Sequence, residues 1–291
     1  MKWQQRLINP VLDKEFRLRM RTIRSPIALL VYLLAIGLMA FGYIYVTMGG
    51  FGNGSPGFNP ENSRVMFYFL SCAQLGLIAF MTPGLTAGIV SGEREKQTLN
   101  MLLTTQQSST TIIVSKLVSS LSFMLLVIVA TMPVYSIVFL FGGISPSQLI
   151  KVFLFYLFIM FVLGAFGIMF STLFKKTVIS IIVTYGFTLF IFAGTGMLYL
   201  FFMEVMQRAY RGTTPPSYSW AGYILGFNPA AALLSLFEPG ISRSVFRVTG
   251  SNNAQPPVEL WEVCVPVYAV LAVAAVWISI RYIRPRLKKR S

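Results

Sequence analysis

Glu93, Arg94, Glu95 and Lys96 stand in consecutive positions, the longest run of mixed charge in a 291-residue chain with only nine acids and no histidine. Adjacent acids and cations could move protons, but that work usually needs a histidine or a carboxylate held in a pocket. The other acids (Asp13, Glu15, Glu61, Glu204, Glu238, Glu259 and Glu262) all fall in loops or at the ends of apolar runs. No Gly-x-x-x-x-Gly-Lys-Ser/Thr phosphate loop occurs, so the chain does not bind nucleotide in the usual way. No catalytic residue and no metal set are assigned. The chemistry left to the cluster is recognition, by a charged amphipathic surface on which another protein pushes.

The elements that must position this cluster lie in a membrane. Hydrophobic residues make up 55% of the chain and charged ones 11%, with a mean hydropathy of +0.70, where soluble domains carry roughly 25% charge. Six apolar runs are long enough to span, at about 26–48, 65–90, 117–141, 149–170, 178–203 and 263–283. The first is read as a span because it begins late and no small-residue cleavage site follows it. The expected fold is an all-α integral membrane protein with six transmembrane helices. Coupled carriers place carboxylates or broken helices near the midplane. Here the only helix-breaking candidates are Pro83-Gly84 and Pro133, and neither has an acidic neighbour in its span.

The net charge of +15 follows topology. Lys and Arg number seven in residues 1–25, three in 91–116, two in 173–176 and six in 281–291, against six in the segments between. The positive-inside rule then puts both termini in the cytoplasm, in a multi-pass protein of the cell membrane. Attraction to anionic lipid accounts for the basicity, and a nucleic-acid partner is not expected. Cys72 and Cys264 fall within spans and read as small packing residues, not a disulfide.

Two further elements flank the spans. In residues 1–25, Leu12, Phe16, Met20 and Ile23 oppose Lys14, Arg17, Arg21 and Arg24 on a helix that Pro10 can open. Such a helix lies in the interface, an elbow before the six-span domain of residues 26–291, with a plain juxtamembrane basic tail as the alternative. The large outside segment, about 204–262, holds Asn228-Pro229 as N-cap and first helical residue. Its apolar run then stops at Glu238-Pro239-Gly240, too short to span, and is expected to rest on or dip into the outer leaflet. Within the mixed-charge segment, Thr98, Leu99, Leu102 and Leu103 share one helical face, while Glu93, Arg94, Lys96 and Gln97 fill the rest. The expected element is one short helix at about 93–103, apolar side on the bundle, with a plain solvated connector as the alternative.

The run from Thr82-Pro83-Gly84 through Ser91-Gly92-Glu93-Arg94-Glu95-Lys96-Gln97-Thr98-Leu99-Asn100-Met101-Leu102-Leu103 to Thr105 resembles the signature of ABC-2 type permeases, membrane subunits of ABC exporters. The family has a Pro-containing second span, a Gly-Glu-Arg-Glu-x-x-Thr-Leu-x-x-Leu-Leu segment and a Lys opening the third span, here Lys116. The likeness extends to the elbow helix, six spans, long outer segment and basic tail. Where the family often has Pro after the double Leu, this chain has Gln106-Gln107.

The resemblance implies a cytoplasmic coupling helix at about 93–103, with Glu93, Arg94, Glu95, Thr98, Leu99, Leu102 and Leu103 docking on a cytoplasmic ABC ATPase subunit. Two such ATPases would hold ATP and Mg, with no cofactor in this chain, and a second permease chain, identical or homologous, would complete the complex. The two permeases would meet through their second and fifth spans. Residues suited to that interface or to a path are Ser71, Gln74, Thr82, Gly84 and Gly88 in the second, and Thr184, Tyr185, Thr188, Phe190, Phe192 and Tyr199 in the fifth. Ordinary helix packing accounts for the same residues. Two other functions stay open: a stand-alone passive carrier or channel, and an ABC-type complex that transmits force or signal to an extracellular protein. The uncharged spans suit lipids, hydrophobic peptides or drugs.

Overall fold

The computed structural model describes residues 24–46, 60–99, 108–140, 144–210, 218–247 and 257–283. The elbow at 1–25 lies outside them but for its last two residues, as do Leu102 and Leu103. Among the described residues six helices are long and apolar enough to cross a membrane: Pro26–Tyr45, Ser63–Glu95, Ser109–Ser136, Pro146–Leu173, Thr177–Ala209 and Leu260–Tyr282. The chain is an all-α multi-pass membrane protein, and it divides into two compact units.

The first unit comprises residues 1–144, 160–184 and 272–291. It contains α1 (Arg24–Tyr45), α2 (Pro60–Thr86), α3 (Ile89–Glu95), α4 (Ser109–Ala130) and α5 (Met132–Leu140). The second half of α6 (Pro146–Leu173), the start of α7 (Thr177–Leu189) and the end of the last helix also belong to it. Tyr32 and Ile36 of α1 pack on Phe123 and Val127 of α4, with Leu77 and Met81 of α2 alongside. On its other side α1 exposes Ile27, Leu30, Leu34, Leu38 and Phe41, at the three- and four-residue spacing of a stripe that faces lipid.

The start of the third span differs from the sequence expectation by eight residues, for a local reason. The third span begins at Ser109 rather than 117, because the Ser108 side chain accepts from the Thr111 amide at 3.1 Å and starts the helix early. Lys116, expected at the start of the span, therefore lies two turns inside it. The same span breaks at Thr131, whose hydroxyl donates to the Ile128 carbonyl at 2.7 Å. Pro133 lacks the N–H that would continue the ladder there. Pro83, by contrast, sits within α2, which runs on to Thr86.

The second unit comprises residues 145–159 and 185–271. The fifth span passes through a π-helical turn at Phe190–Gly194 into α8 (Thr195–Ala209). Three short helices follow: α9 (Ala221–Gly226), α10 (Pro229–Phe237) and α11 (Pro239–Phe246). The chain then enters α12 (Leu260–Tyr282). As expected, Asn228 caps α10, its Oδ1 accepting from the amides of Ala230 and Ala231 at 2.9 and 3.3 Å. Its amide also donates to the Phe192 carbonyl at 2.7 Å. A wide turn disturbs the regular backbone bonding of a helix, and Asn228 supplies a donor to it. The expected stop at Glu238-Pro239-Gly240 is also a start, since Pro239 opens α11. Gly222 leaves the room that the Phe246 ring occupies: a Cβ there would lie 2.4 Å from it.

Candidate functional site: the buckle at Glu93, Arg94 and Glu95

The mixed-charge segment follows α2 after a turn at Ala87-Gly88. Helix α3 has no cap of its own, because Gly88 in the capping position has no side chain. The cap comes from α6: Ser171 Oγ accepts from the amides of Val90 and Ser91 at 2.9 and 3.0 Å. Ser180 of α7 donates to the Ala87 carbonyl at 2.6 Å. Gly167 permits the close approach of α6, since a Cβ on it would stand 1.9 Å from Thr86 Oγ1.

Consecutive residues on a helix point about 100° apart, and the three charged side chains reach three different helices. The Glu93 carboxylate pairs with the Lys116 ammonium of α4. Lys116 is only 2% exposed, so the Glu93 carboxylate pairs with a cation held inside the protein. The Arg94 guanidinium donates to the carbonyls of Thr172 and Phe174 at 3.1 and 3.4 Å, at the C-terminal end of α6. The Glu95 carboxylate accepts from the Thr177 amide at 2.8 Å and its hydroxyl at 2.7 Å, at the first residue of α7. Each sign matches its end: a cation meets the orphan carbonyls of a helix C-terminus, and an acid the orphan amides of an N-terminus.

The expected single helix over 93–103 is broken. Helix α3 ends at Glu95, and Gln97 adopts φ 59°, in the left-handed region. The Thr98 hydroxyl donates to the Glu93 carbonyl at 3.2 Å, and helix resumes at Thr98 and Leu99. The reason lies in the sequence pattern. Holding Glu93, Arg94 and Glu95 on three partners fixes the rotation of α3, while Leu99 must reach the core of Val90, Ile112, Ile113 and Leu117. A turn reconciles the two. Glu95, Lys96, Gln97 and Thr98 are left exposed as a tip.

The residues suggested for a path or interface are dispersed. Ser71 and Gln74 are fully buried, the Gln74 amide donating to Thr131 Oγ1 at 3.0 Å. Thr184 is buried and donates to the Ser180 carbonyl at 2.7 Å, and Thr188 is also buried. Tyr185 is half-buried, and Tyr199 donates to the Val245 carbonyl at 3.2 Å. Gly84 is exposed on α2, whereas Gly88 forms the turn against Thr177. Sequence reasoning missed Ser171, Thr177 and Ser180. Their one signal was chemical, hydroxyls flanking the Lys175-Lys176 connector, where helix caps are made.

Six helices that can span, with one charged segment buckled to three of them, define a multi-pass membrane domain. The chain belongs to the ABC-2 family: the model described as ABC-2 family transporter protein matches residues 51–281. It is thus a permease of an ABC transporter. No curated protein compared with it matches.

Proposed function

We propose that the chain is the permease subunit of an ATP-driven exporter in the cell membrane, with both termini cytoplasmic. Its exposed tip at Glu95–Thr98, with the segment that follows, docks on a separate ABC ATPase. Two ATPase copies hold the ATP and Mg, and a second permease chain, identical or homologous, completes the assembly. One observation carries this reading: Glu93, Arg94 and Glu95 fasten α3 to α4, α6 and α7, so a push on the tip is delivered to three spans at once. Closure of the ATPases would tilt those spans as rigid bodies and alternate access.

The test is co-purification of the full chain in mild detergent with an ATPase assay. Glu95→Arg is a poor probe because it also removes two bonds to Thr177. Lys96→Glu is cleaner, since Lys96 is exposed and its charge is not used in a bond among the described residues. A stoichiometric ATP-binding subunit should accompany the wild type and be lost from Lys96→Glu, with chain stability unchanged. A chain that purifies alone from native membranes would overturn the reading in favour of a self-sufficient carrier or channel.

A further inference from the structure

The second unit holds a cavity of about 490 Å³ with a charged mouth and an apolar body. Its wall on α6 is Lys151, then Leu154, Phe155 and Phe158. Those are the i, i+3, i+4 and i+7 positions of one helical face, running about 10 Å from the charge towards the middle of the span. The facing wall starts at Glu259, immediately before α12, and continues through Trp261 and Val265. Both charges therefore sit at span starts, and apolar residues lie below both. Leu154 is 60% exposed, so the cavity opens sideways to where acyl chains lie. Trp261, about one-third exposed, is of the residue type that favours the membrane interface and stands at the start of the span.

The two charges at the mouth are not spent on each other. Among the described residues Lys151 and Glu259 form no ion pair, and Glu259 Oε2 is buried with no hydrogen-bond donor. Ser235, also at the wall, is already used: its hydroxyl accepts from the Trp261 amide at 3.2 Å and donates to the Ala232 carbonyl at 2.7 Å. A buried carboxylate oxygen without a donor is costly. We propose that this groove binds a zwitterionic phospholipid with a primary ammonium, of the phosphoethanolamine class. The ammonium donates to Glu259, the phosphate meets Lys151, and an acyl chain runs along Leu154, Phe155 and Phe158. A choline headgroup has no N–H to give to Glu259, and a glycerol headgroup has no cation. The proposal rests on the membrane-embedded fold of the single chain and not on an ATPase partner.

Native mass spectrometry tests it on the full-length chain in detergent, titrated with equal amounts of phosphatidylethanolamine, phosphatidylcholine and phosphatidylglycerol. The expected result is about tenfold preference for the ethanolamine lipid, the size of one charge-assisted hydrogen bond. Glu259→Gln should reduce that lipid to the level of the choline lipid, and Lys151→Met should weaken all three. Equal binding of the three, strongest binding of the anionic lipid, or an unchanged preference in Glu259→Gln would overturn the proposal. Should Glu259→Gln fail to fold, the wild-type ranking alone decides.

Discussion

The two ends of α6 use charge in opposite ways. At its C-terminal end, Arg94 binds the last carbonyls and Ser171 caps α3, while Glu93 next to Arg94 neutralises Lys116. At its N-terminal end, Lys151 and Glu259 line one cavity and leave each other unpaired. Charges paired within the chain hold helices in fixed register. Charges that form no ion pair among the described residues, beside an apolar cleft, have a preference that something else must meet. The first kind suits an element that passes on a push, and the second suits one that receives a molecule.

The comparison is broken most readily through the lysines. Lys116→Met leaves Glu93, about one-third exposed, without its cation, and is expected to cost about 2–3 kcal/mol of stability. The double variant Glu93→Leu, Lys116→Met should recover much of that. Lys151→Met, measured in lipid-free detergent, should change stability by less than about 0.5 kcal/mol. Denaturant unfolding followed by circular dichroism decides. Equal losses at the two lysines would erase the distinction between the ends.

Packing gives a smaller test. Gly167→Ala forces a Cβ into Thr86 and should cost about 1–3 kcal/mol, partly regained by adding Thr86→Ala. Gly186 has nothing within 4 Å of its notional Cβ, so Gly186→Ala should be neutral or stabilise by up to about 1 kcal/mol. The same unfolding measurement should order them so. The smallest effect concerns the borrowed cap: Ser171→Ala removes the acceptor for two amides and should cost about 1 kcal/mol. Faster hydrogen exchange at Val90 and Ser91, with no change in α6, would locate that loss.

The spans were legible because apolar length and flanking charge suffice to place a helix in a membrane. Helix ends were less so: Ser108-Ser109-Thr110-Thr111 reads as a polar linker until its cap bond is seen. The Asn228-Pro229 start was readable because cap and Pro are local signals, whereas the bond from Asn228 to Phe192 joins residues 36 apart. For the site, the sequence showed that Glu93, Arg94 and Glu95 matter but not how. Their partners come from three other helices, and adjacent charges read naturally as a surface offered outward. The left-handed turn at Gln97 was hidden for the same reason, since nothing about Gln favours it.

We propose that the tip at 95–98 is where an ATPase presses on the permease. A photo-crosslinking residue at position 97, in membranes holding the active transporter, tests it directly. Position 240, across the membrane by the count of spans, serves as the control. An adduct with an ATP-binding subunit is expected from position 97 and none from 240. No adduct from 97, or equal adducts from both, would contradict it.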